Sequence, residues 1–265
     1  MHIYLYLVLI TQMKKYILNR NLLRIFGIIL FVILWHIISV ILGDNTFIFP
    51  SPKNTIIEVM HMLKSEYVYK CIFQTMIRMV SGFAISFILA MIFGTIAGNS
   101  RTIEELLNPT MTIIKSIPTA ALIYTFLVLV GARITPMFIV ILVSFPILYE
   151  SVLGGIKSTP IEILESSRID AASNFYTIIK IRIPLAIRYI VIGVVSSFSL
   201  SLKIEIMAEV ITGYTRLGIG SAILAAQRSD PTNMVPVFAY SFIAIVLMLL
   251  FDFLMSLIKQ SINSV

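Results

Sequence analysis

The chain has 265 residues, of which 58% are hydrophobic and only 12% are charged, and its mean hydropathy is +0.99. A soluble domain would be about one quarter charged, so this composition excludes a water-soluble globular protein, and at roughly 20 residues per span it predicts an all-α integral membrane protein with about six transmembrane helices. The net charge of +7 fits basic residues that flank membrane spans, so we expect membrane lipid and no nucleic acid as a partner.

The N-terminal segment, residues 1–21, is predicted to lie in the cytoplasm or at the membrane interface. Its apolar stretch before Lys14 and Lys15 is too short to cross a bilayer. These charges follow the apolar run instead of preceding it, which is the wrong order for a cleaved signal peptide. Translation from Met13 is an alternative start. Residues 22–265 are predicted to form a single transmembrane domain.

Six apolar stretches are predicted as spans, near residues 22–42, 79–98, 108–130, 136–152, 187–202 and 235–251. A Pro-rich turn at Phe49–Pro52 precedes a short amphipathic helix over Asn54–Leu63, which we place at the outer surface with Ile56, Ile57, Met60 and Leu63 on its apolar face. In the second span, Gly94 and Gly98 have the spacing of close helix packing. With the N-terminus inside, more of the basic residues fall in the cytoplasm, including the basic loop at residues 155–188.

That loop carries two predicted helices. Thr159 to Glu162 has the pattern of a capping box with proline at the first helical position, so a helix begins there. A second short helix follows over Asn174–Ile181 and is expected to stop at Pro184, which lacks a backbone N–H. Its apolar face consists of Phe175, Ile178 and Ile179, and such a face in a cytoplasmic loop needs a partner.

The loop also carries a family motif. Glu165-Ser166-Ser167, Ala171 and Ile181-Arg182-Ile183-Pro184 resemble the EAA loop of ABC-importer permeases, which reads Glu-Ala-Ala, three residues, Gly, nine residues and Ile-x-Leu-Pro. The spacing is kept throughout. Serines replace both alanines, Ala171 replaces the glycine, and Ile183 replaces the leucine. The missing glycine puts the bend between the two helices in question.

Three further segments resemble the permeases of sulfonate, taurine, nitrate and thiamine-precursor importers: Phe49–Pro52, Ser116–Ala120, and Glu205–Glu209 followed by Leu217–Gly220. The resemblance implies a type I ABC-importer permease in a bacterial or archaeal inner membrane, multi-pass, with its N-terminus in the cytoplasm. It also implies a homodimer, a cytoplasmic ABC ATPase dimer docked on the loop, and an extracytoplasmic solute-binding protein. The ATPase-coupling residues that it implies are Glu165, Ser166, Arg168, Asp170, Ala171, Phe175, Ile178, Ile179, Ile181 and Pro184.

No catalytic motif is found in the sequence. A phosphate-binding Gly-x-x-x-x-Gly-Lys-Ser/Thr loop, a His-Glu-x-x-His pair and a Gly-x-Ser-x-Gly turn are all absent. One cysteine and three scattered histidines give little basis for a metal site. We therefore expect a permease and not an enzyme, with no cofactor in this chain and with ATP and Mg on the partner ATPase.

Ionisable residues within spans are costly unless they face water or a partner. The candidates for a translocation path are Lys115, Ser116, Pro118, Lys203, Glu205 and Glu209. Two lysines along a path would favour an anion. In the alternative, Lys203 pairs with Glu205 or Glu209 and Lys115 snorkels or pairs elsewhere.

The function predicted is therefore the permease subunit of an ATP-driven importer for a small solute. An organic anion such as an alkanesulfonate or taurine is expected, with nitrate or a thiamine precursor as the alternative. An ion-coupled secondary carrier is the alternative of another class, but such a carrier needs paired mid-span carboxylates and an internal repeat, and neither is recognisable. A structural scaffold is disfavoured by the charged third and fifth spans.

Overall fold

The computed structural model describes the backbone of residues 2–43, 47–169, 174–213 and 217–263, and the side chains of residues 22–43, 47–165, 175–213 and 217–260. All regular structure in these residues is helical, which confirms the predicted all-α fold. The helices are α1 (His2–Ile41), α2 (Pro52–Met62), α3 (Glu66–Asn99), α4 (Arg101–Ser116), α5 (Thr119–Val130), α6 (Thr135–Lys157), α7 (Ile161–Ile169), α8 (Asn174–Thr177), α9 (Ile183–Thr212), α10 (Ile219–Ser229) and α11 (Val235–Asn263).

Four of the described helices are long and apolar enough to cross a membrane, at Leu22–Ile41, Glu66–Asn99, Thr135–Lys157 and Val235–Gln260. The predicted third span is two helices, α4 and α5, which meet at 97° and would count as a fifth span only if taken together. The predicted fifth span lies in α9, which is 30 residues long. It is not among the four, so the structure supports four or five spans of this kind where six were predicted.

The second span extends far beyond its predicted start at residue 79, because α3 begins at Glu66. Arg78, which was expected to precede the span, and Lys70 both lie inside this helix and form ion pairs. Lys70 pairs with Glu66 one turn away at 2.9 Å. Arg78 pairs with Glu209 of α9 at 2.6 Å. An ion pair allows a charge to lie within an otherwise apolar helix, so a single arginine is a poor marker of the span's end.

The predicted amphipathic helix is confirmed as α2. Ser51 caps it by accepting a hydrogen bond from the Asn54 N–H at 3.4 Å. Its buried side chains are Pro52, Thr55, Val59 and Met62. The residues predicted for its apolar face, Ile56, Ile57, Met60 and Leu63, are exposed on the protomer. An apolar face left uncovered by the protein is what a helix at the membrane surface requires.

The core of the protomer is formed by α3 and α9 packed along α6. A Cβ atom at Gly94 would lie 2.8 Å from the Val152 side chain, and one at Gly98 would lie 2.6 Å from Ile156. Only glycine allows this approach of α3 to α6, which confirms the predicted close packing at these two positions. The Ser144 and Ser201 hydroxyl groups form a buried hydrogen bond of 2.7 Å between α6 and α9. These three helices thus form a tightly packed unit.

The second helix of the cytoplasmic loop does not stop at Pro184 as predicted. Residues 178–182 form a π-helical turn that joins α8 to α9, and the Ile183 N–H donates to the Ile178 carbonyl. The wider turn accommodates proline in the first turn of α9, where its missing N–H costs nothing. The first loop helix begins at Ile161, near the predicted start. The Thr159 hydroxyl donates to the Ile156 carbonyl at 3.0 Å.

Candidate functional site

The first candidate site is the break between α4 and α5. Ile117 and Pro118 are both extended, with ψ values of 128° and 125°. Proline cannot donate a helical hydrogen bond and disfavours the helical conformation of the residue before it, so the sequence produces the break locally. The Ser116 hydroxyl donates back to the Thr112 carbonyl at 2.7 Å. Irregular backbone within a membrane requires protein or a water-filled cavity beside it. This is the environment expected for residues that line a translocation path.

Lys115 lies at the last turn of α4, directly before this break. Its Nζ atom is 2.6 Å from Glu150 Oε1 on α6. Both side chains are about half exposed, at 44% and 51%. A half-exposed ion pair cannot face hydrocarbon without a large cost, so its open side needs water or another polar surface. The sequence analysis left open whether Lys115 is an unpaired charge on the path or pairs with another residue. The structure shows the ion pair with Glu150, so Lys115 is not an isolated positive charge.

The second candidate site is a buried polar cluster that joins α3, α9 and the N-terminus of α10. The fully buried carboxylate of Glu209 accepts hydrogen bonds from Arg78 at 2.6 Å, from the Thr75 hydroxyl at 2.9 Å and from the Gly220 N–H at 2.9 Å. Thr75 in turn accepts from the Ile219 N–H at 2.9 Å. The carboxylate therefore satisfies one free N–H at the start of α10, Thr75 satisfies another, and the negative charge compensates the positive end of the helix dipole.

The same cluster holds the loop that leads into α10. Arg78 donates through its other terminal nitrogen to the Leu217 carbonyl at 2.8 Å. A Cβ atom at Gly218, whose φ is +155°, would lie 2.6 Å from the Glu209 carboxylate oxygens. Glycine is required at this position for both reasons. Sequence reasoning named Glu209 and this glycine segment but missed Arg78 and Thr75. An arginine inside an apolar run requires an acidic partner, and this was the signal that could have found Arg78.

Glu205 lies one helical turn before Glu209 on α9 and is also fully buried. Neither of its carboxylate oxygens has a hydrogen-bond partner among the described residues. Lys203 is exposed, and the predicted pairing of Lys203 with one of these two glutamates is not observed, since Glu209 pairs with Arg78. The structure thus places Glu205 and Glu209 inside the protomer and Lys115 on its surface. The predicted path residues do not form one cluster.

The coupling residues of the cytoplasmic loop lie only partly within the described side chains. Ser166, Arg168, Asp170 and Ala171 lie outside them. Glu165 is exposed. Phe175 is 74% exposed and Ile179 is 41% exposed, while Ile178 and Ile181 are partly buried. Pro184 is exposed in the first turn of α9. The predicted apolar face therefore includes a large aromatic side chain that has little cover from the protomer itself.

Metal binding finds no support in the described part of the chain, where no three His, Cys, Asp or Glu side chains group closely enough to hold an ion. Two of the charged side chains of the candidate sites, Lys115 and Glu209, form ion pairs between helices. Such ion pairs can hold helices together or separate when the helices move.

A family model for the binding-protein-dependent transport system inner membrane component matches residues 86–264. A trimethylamine N-oxide transport system permease protein of Pelagibacter ubique (strain HTCC1062) is 29% identical over 122 residues, which cover 46% of this chain and 17% of that protein. A putative aliphatic sulfonates transport permease protein of Bacillus subtilis (strain 168) is 21% identical over 205 residues, covering 77% of this chain and 74% of that one.

The fold is similar to that of a chain in a solved structure of the MetNI methionine ABC transporter, obtained in inward facing conformations. The TM-score is 0.58 and the sequence identity is 15%, over 74% of this chain and 98% of that chain. At this identity the likeness shows a shared fold only. It does not indicate what this chain carries.

Proposed function

Because the chain belongs to the family of inner membrane components of binding-protein-dependent transport systems, the ABC-importer permeases, we propose that it forms the membrane path of an ATP-driven importer as a homodimer. The family consists of transport permeases and not of enzymes. The ion-coupled carrier considered above is therefore not proposed. The solute reaches the outer face on a binding protein and crosses beside the broken α4–α5 pair.

The cytoplasmic loop is proposed to dock on the ATPase subunits. The observation that carries this is the exposure of Phe175, at 74%, on a loop that keeps the EAA spacing. An exposed aromatic ring flanked by polar residues favours insertion into a pocket of a partner protein. ATP and Mg are bound by the partner, and this chain requires no cofactor of its own. The loop then lies in the cytoplasm. With the α4–α5 pair counted as one span, four spans precede the loop, so the N-terminus is proposed to lie in the cytoplasm as well.

For the solute we propose a small organic anion such as an alkanesulfonate or taurine, with nitrate or a thiamine precursor as the second candidate. The similarity to the Bacillus sulfonate permease supports the first. The similarity to the trimethylamine N-oxide permease widens the range to a solute without net charge. Because Lys115 is paired with Glu150, the path offers a carboxylate beside its lysine, and the binding protein rather than this pair would supply most of the selectivity.

Docking is tested by co-purification of the ATPase with the full chain and with Phe175→Ala. Loss of an interface aromatic anchor costs about 2 kcal/mol or more, so we expect the ATPase to bind about 30-fold more weakly or worse. Phe73→Ala is the matched control, because Phe73 is also exposed, at 66%, but lies near the N-terminal end of α3 and outside the cytoplasmic loop. Equal ATPase binding by both variants, or ATP-independent uptake by the wild-type chain, contradicts the proposal.

A further inference from the structure

Both ends of the cytoplasmic loop are attached to one short segment, the corner where α3 ends and α4 begins. On the N-terminal side, Lys157 at the end of α6 donates from Nζ to the two carboxylate oxygens of Glu104, at 2.8 and 2.9 Å. On the C-terminal side, Arg182 donates from Nη1 to the Gly98 carbonyl at 3.3 Å. We refer to Gly98, Glu104, Lys157 and Arg182 as the corner clasp. The loop therefore cannot shift without displacing this corner or breaking these contacts.

The corner itself is tightly built. Gly98 packs so closely on Ile156 that a Cβ atom there would lie 2.6 Å from it. Ser100 is extended and separates the two helices, while its carbonyl accepts from the Glu104 N–H at 3.0 Å. An open cavity of about 560 Å³ borders the corner, and Arg101, Lys157 and Arg182 contribute to its wall. Glu104 thus belongs to the first turn of α4, so a force on its carboxylate acts on that helix directly.

Helix α4 is otherwise held loosely. Met111 is its only buried residue. Two ion pairs attach it to α6, one near each end: Glu104 with Lys157 and Lys115 with Glu150. The 16 residues of α4 extend over about 24 Å, and the helix continues across Pro109 without a break. It therefore connects its first turn to its last turn, where Lys115 precedes the α4–α5 break.

We propose that the corner clasp transmits movement of the cytoplasmic loop to α4 and through it to the break at Ile117 and Pro118, with Glu104 and Lys157 as positioning residues. This inference rests on the proposed function, because the movement originates in an ATPase docked on the loop. The Lys157 side chain is 52% exposed, and ion pairs with an exposed partner contribute little to stability. Loss of the pair should consequently weaken transmission more than folding.

The test uses the full chain with its co-purified ATPase in proteoliposomes. Cys71, which is buried, is replaced by alanine, and an environment-sensitive dye is attached at Val128→Cys on α5, where the native side chain is 85% exposed. ATP hydrolysis and the ATP-dependent change in fluorescence are measured together. The variants are Glu104→Gln, Lys157→Gln and the charge swap Glu104→Lys with Lys157→Glu.

For either single variant we expect the fluorescence change to fall by about 2- to 30-fold, the range that substitutions along coupling networks produce, while ATP hydrolysis stays close to the wild-type rate. The charge swap should restore most of the signal. Glu105→Gln is the matched control, because Glu105 pairs only with Arg101 in the same helix at 2.8 Å. It should leave the signal unchanged.

The two proposals fail in different ways. If the wild-type chain retains no ATPase or gives no ATP-dependent signal, the proposed function is contradicted and the clasp with it. If the wild-type chain hydrolyses ATP and gives the signal, but Glu104→Gln and Lys157→Gln match Glu105→Gln, the clasp alone is wrong. A charge swap no better than the single variants also contradicts it, because a transmitting contact between these two residues should recover when their charges are exchanged.

Discussion

The buried cluster around Glu209 allows a matched comparison of two glutamates on one helix. Glu209 and Glu205 are both fully buried on α9 and differ by one turn. Glu209 accepts three kinds of donor, including Arg78 at 2.6 Å. Glu205 has no partner for either oxygen among the described residues. Replacing each with glutamine preserves size and removes one negative charge, so the two variants differ in which interactions are lost.

The magnitude follows from what each variant leaves behind. Glu209→Gln leaves Arg78, whose side chain is 14% exposed, without its carboxylate. Breaking a buried ion pair from one side costs about 3–5 kcal/mol. Each kcal/mol shifts the melting temperature of a chain of this size class by about 2–4 °C, so we expect a loss of about 6–20 °C. Glu205→Gln breaks no contact and avoids burial of an unpaired charge, so its melting temperature should be unchanged or higher.

The measurement is thermal unfolding of the purified chain in detergent, followed by the fraction that remains monodisperse after heating. A double variant, Arg78→Met with Glu209→Met, serves as a further control, because removal of both charges costs less than removal of one. The reasoning is refuted if Glu205→Gln is as destabilising as Glu209→Gln, or if Glu209→Gln leaves the melting temperature unchanged. Either result would mean that the hydrogen bonds and the ion pair of Glu209 do not contribute to the thermal stability of the chain.

Two further outcomes are expected. Gly98→Ala should lower the melting temperature strongly, because its new methyl group would lie 2.6 Å from Ile156, whereas Gly154→Ala, with no atom within 4 Å, should be tolerated in the same assay. Replacing Lys115 with glutamate or Glu150 with lysine should each remove ATP-driven uptake, whereas the double exchange should restore it, because the double exchange keeps a pair of opposite charges at this position. Uptake at the wild-type level by both single variants would show that the pair has no part in transport.

Apolar periodicity was sufficient to predict the helical class and to locate most of the helices, but charges misled the prediction of their ends. Arg78 was taken as the end of the second span, and Lys203 with Glu205 as the end of the fifth. In the structure α3 continues past Arg78 to Glu66, and α9 continues to Thr212. Arg78 is tolerated inside α3 because Glu209, which is distant in sequence, pairs with it. Such pairing depends on tertiary contacts, which one sequence without the fold does not reveal.

The break before Pro118 was predictable for the opposite reason, since its cause is local. Proline acts on its own residue and on the one before it, and no distant contact is needed to interrupt the third span. The angle of 97° between the two halves depends on what α4 and α5 pack against and was not predictable. The same distinction applies at Pro184, where the local rule predicted a stop but a π-helical turn absorbed the proline.

The position of a solute path follows from the packing of the helices rather than from any single charge. Glycine contacts leave no room for a side chain, still less a solute, between α3 and α6 at Gly94 and Gly98. Polar side chains that are exposed beside apolar helices lie instead along α4 and its contact with α6, at Lys115 and Glu150. We therefore place the proposed path for a polar solute beside α4 on the protomer surface, where another polypeptide would close it. A second copy of this chain is the partner that supplies that wall in the proposed homodimer.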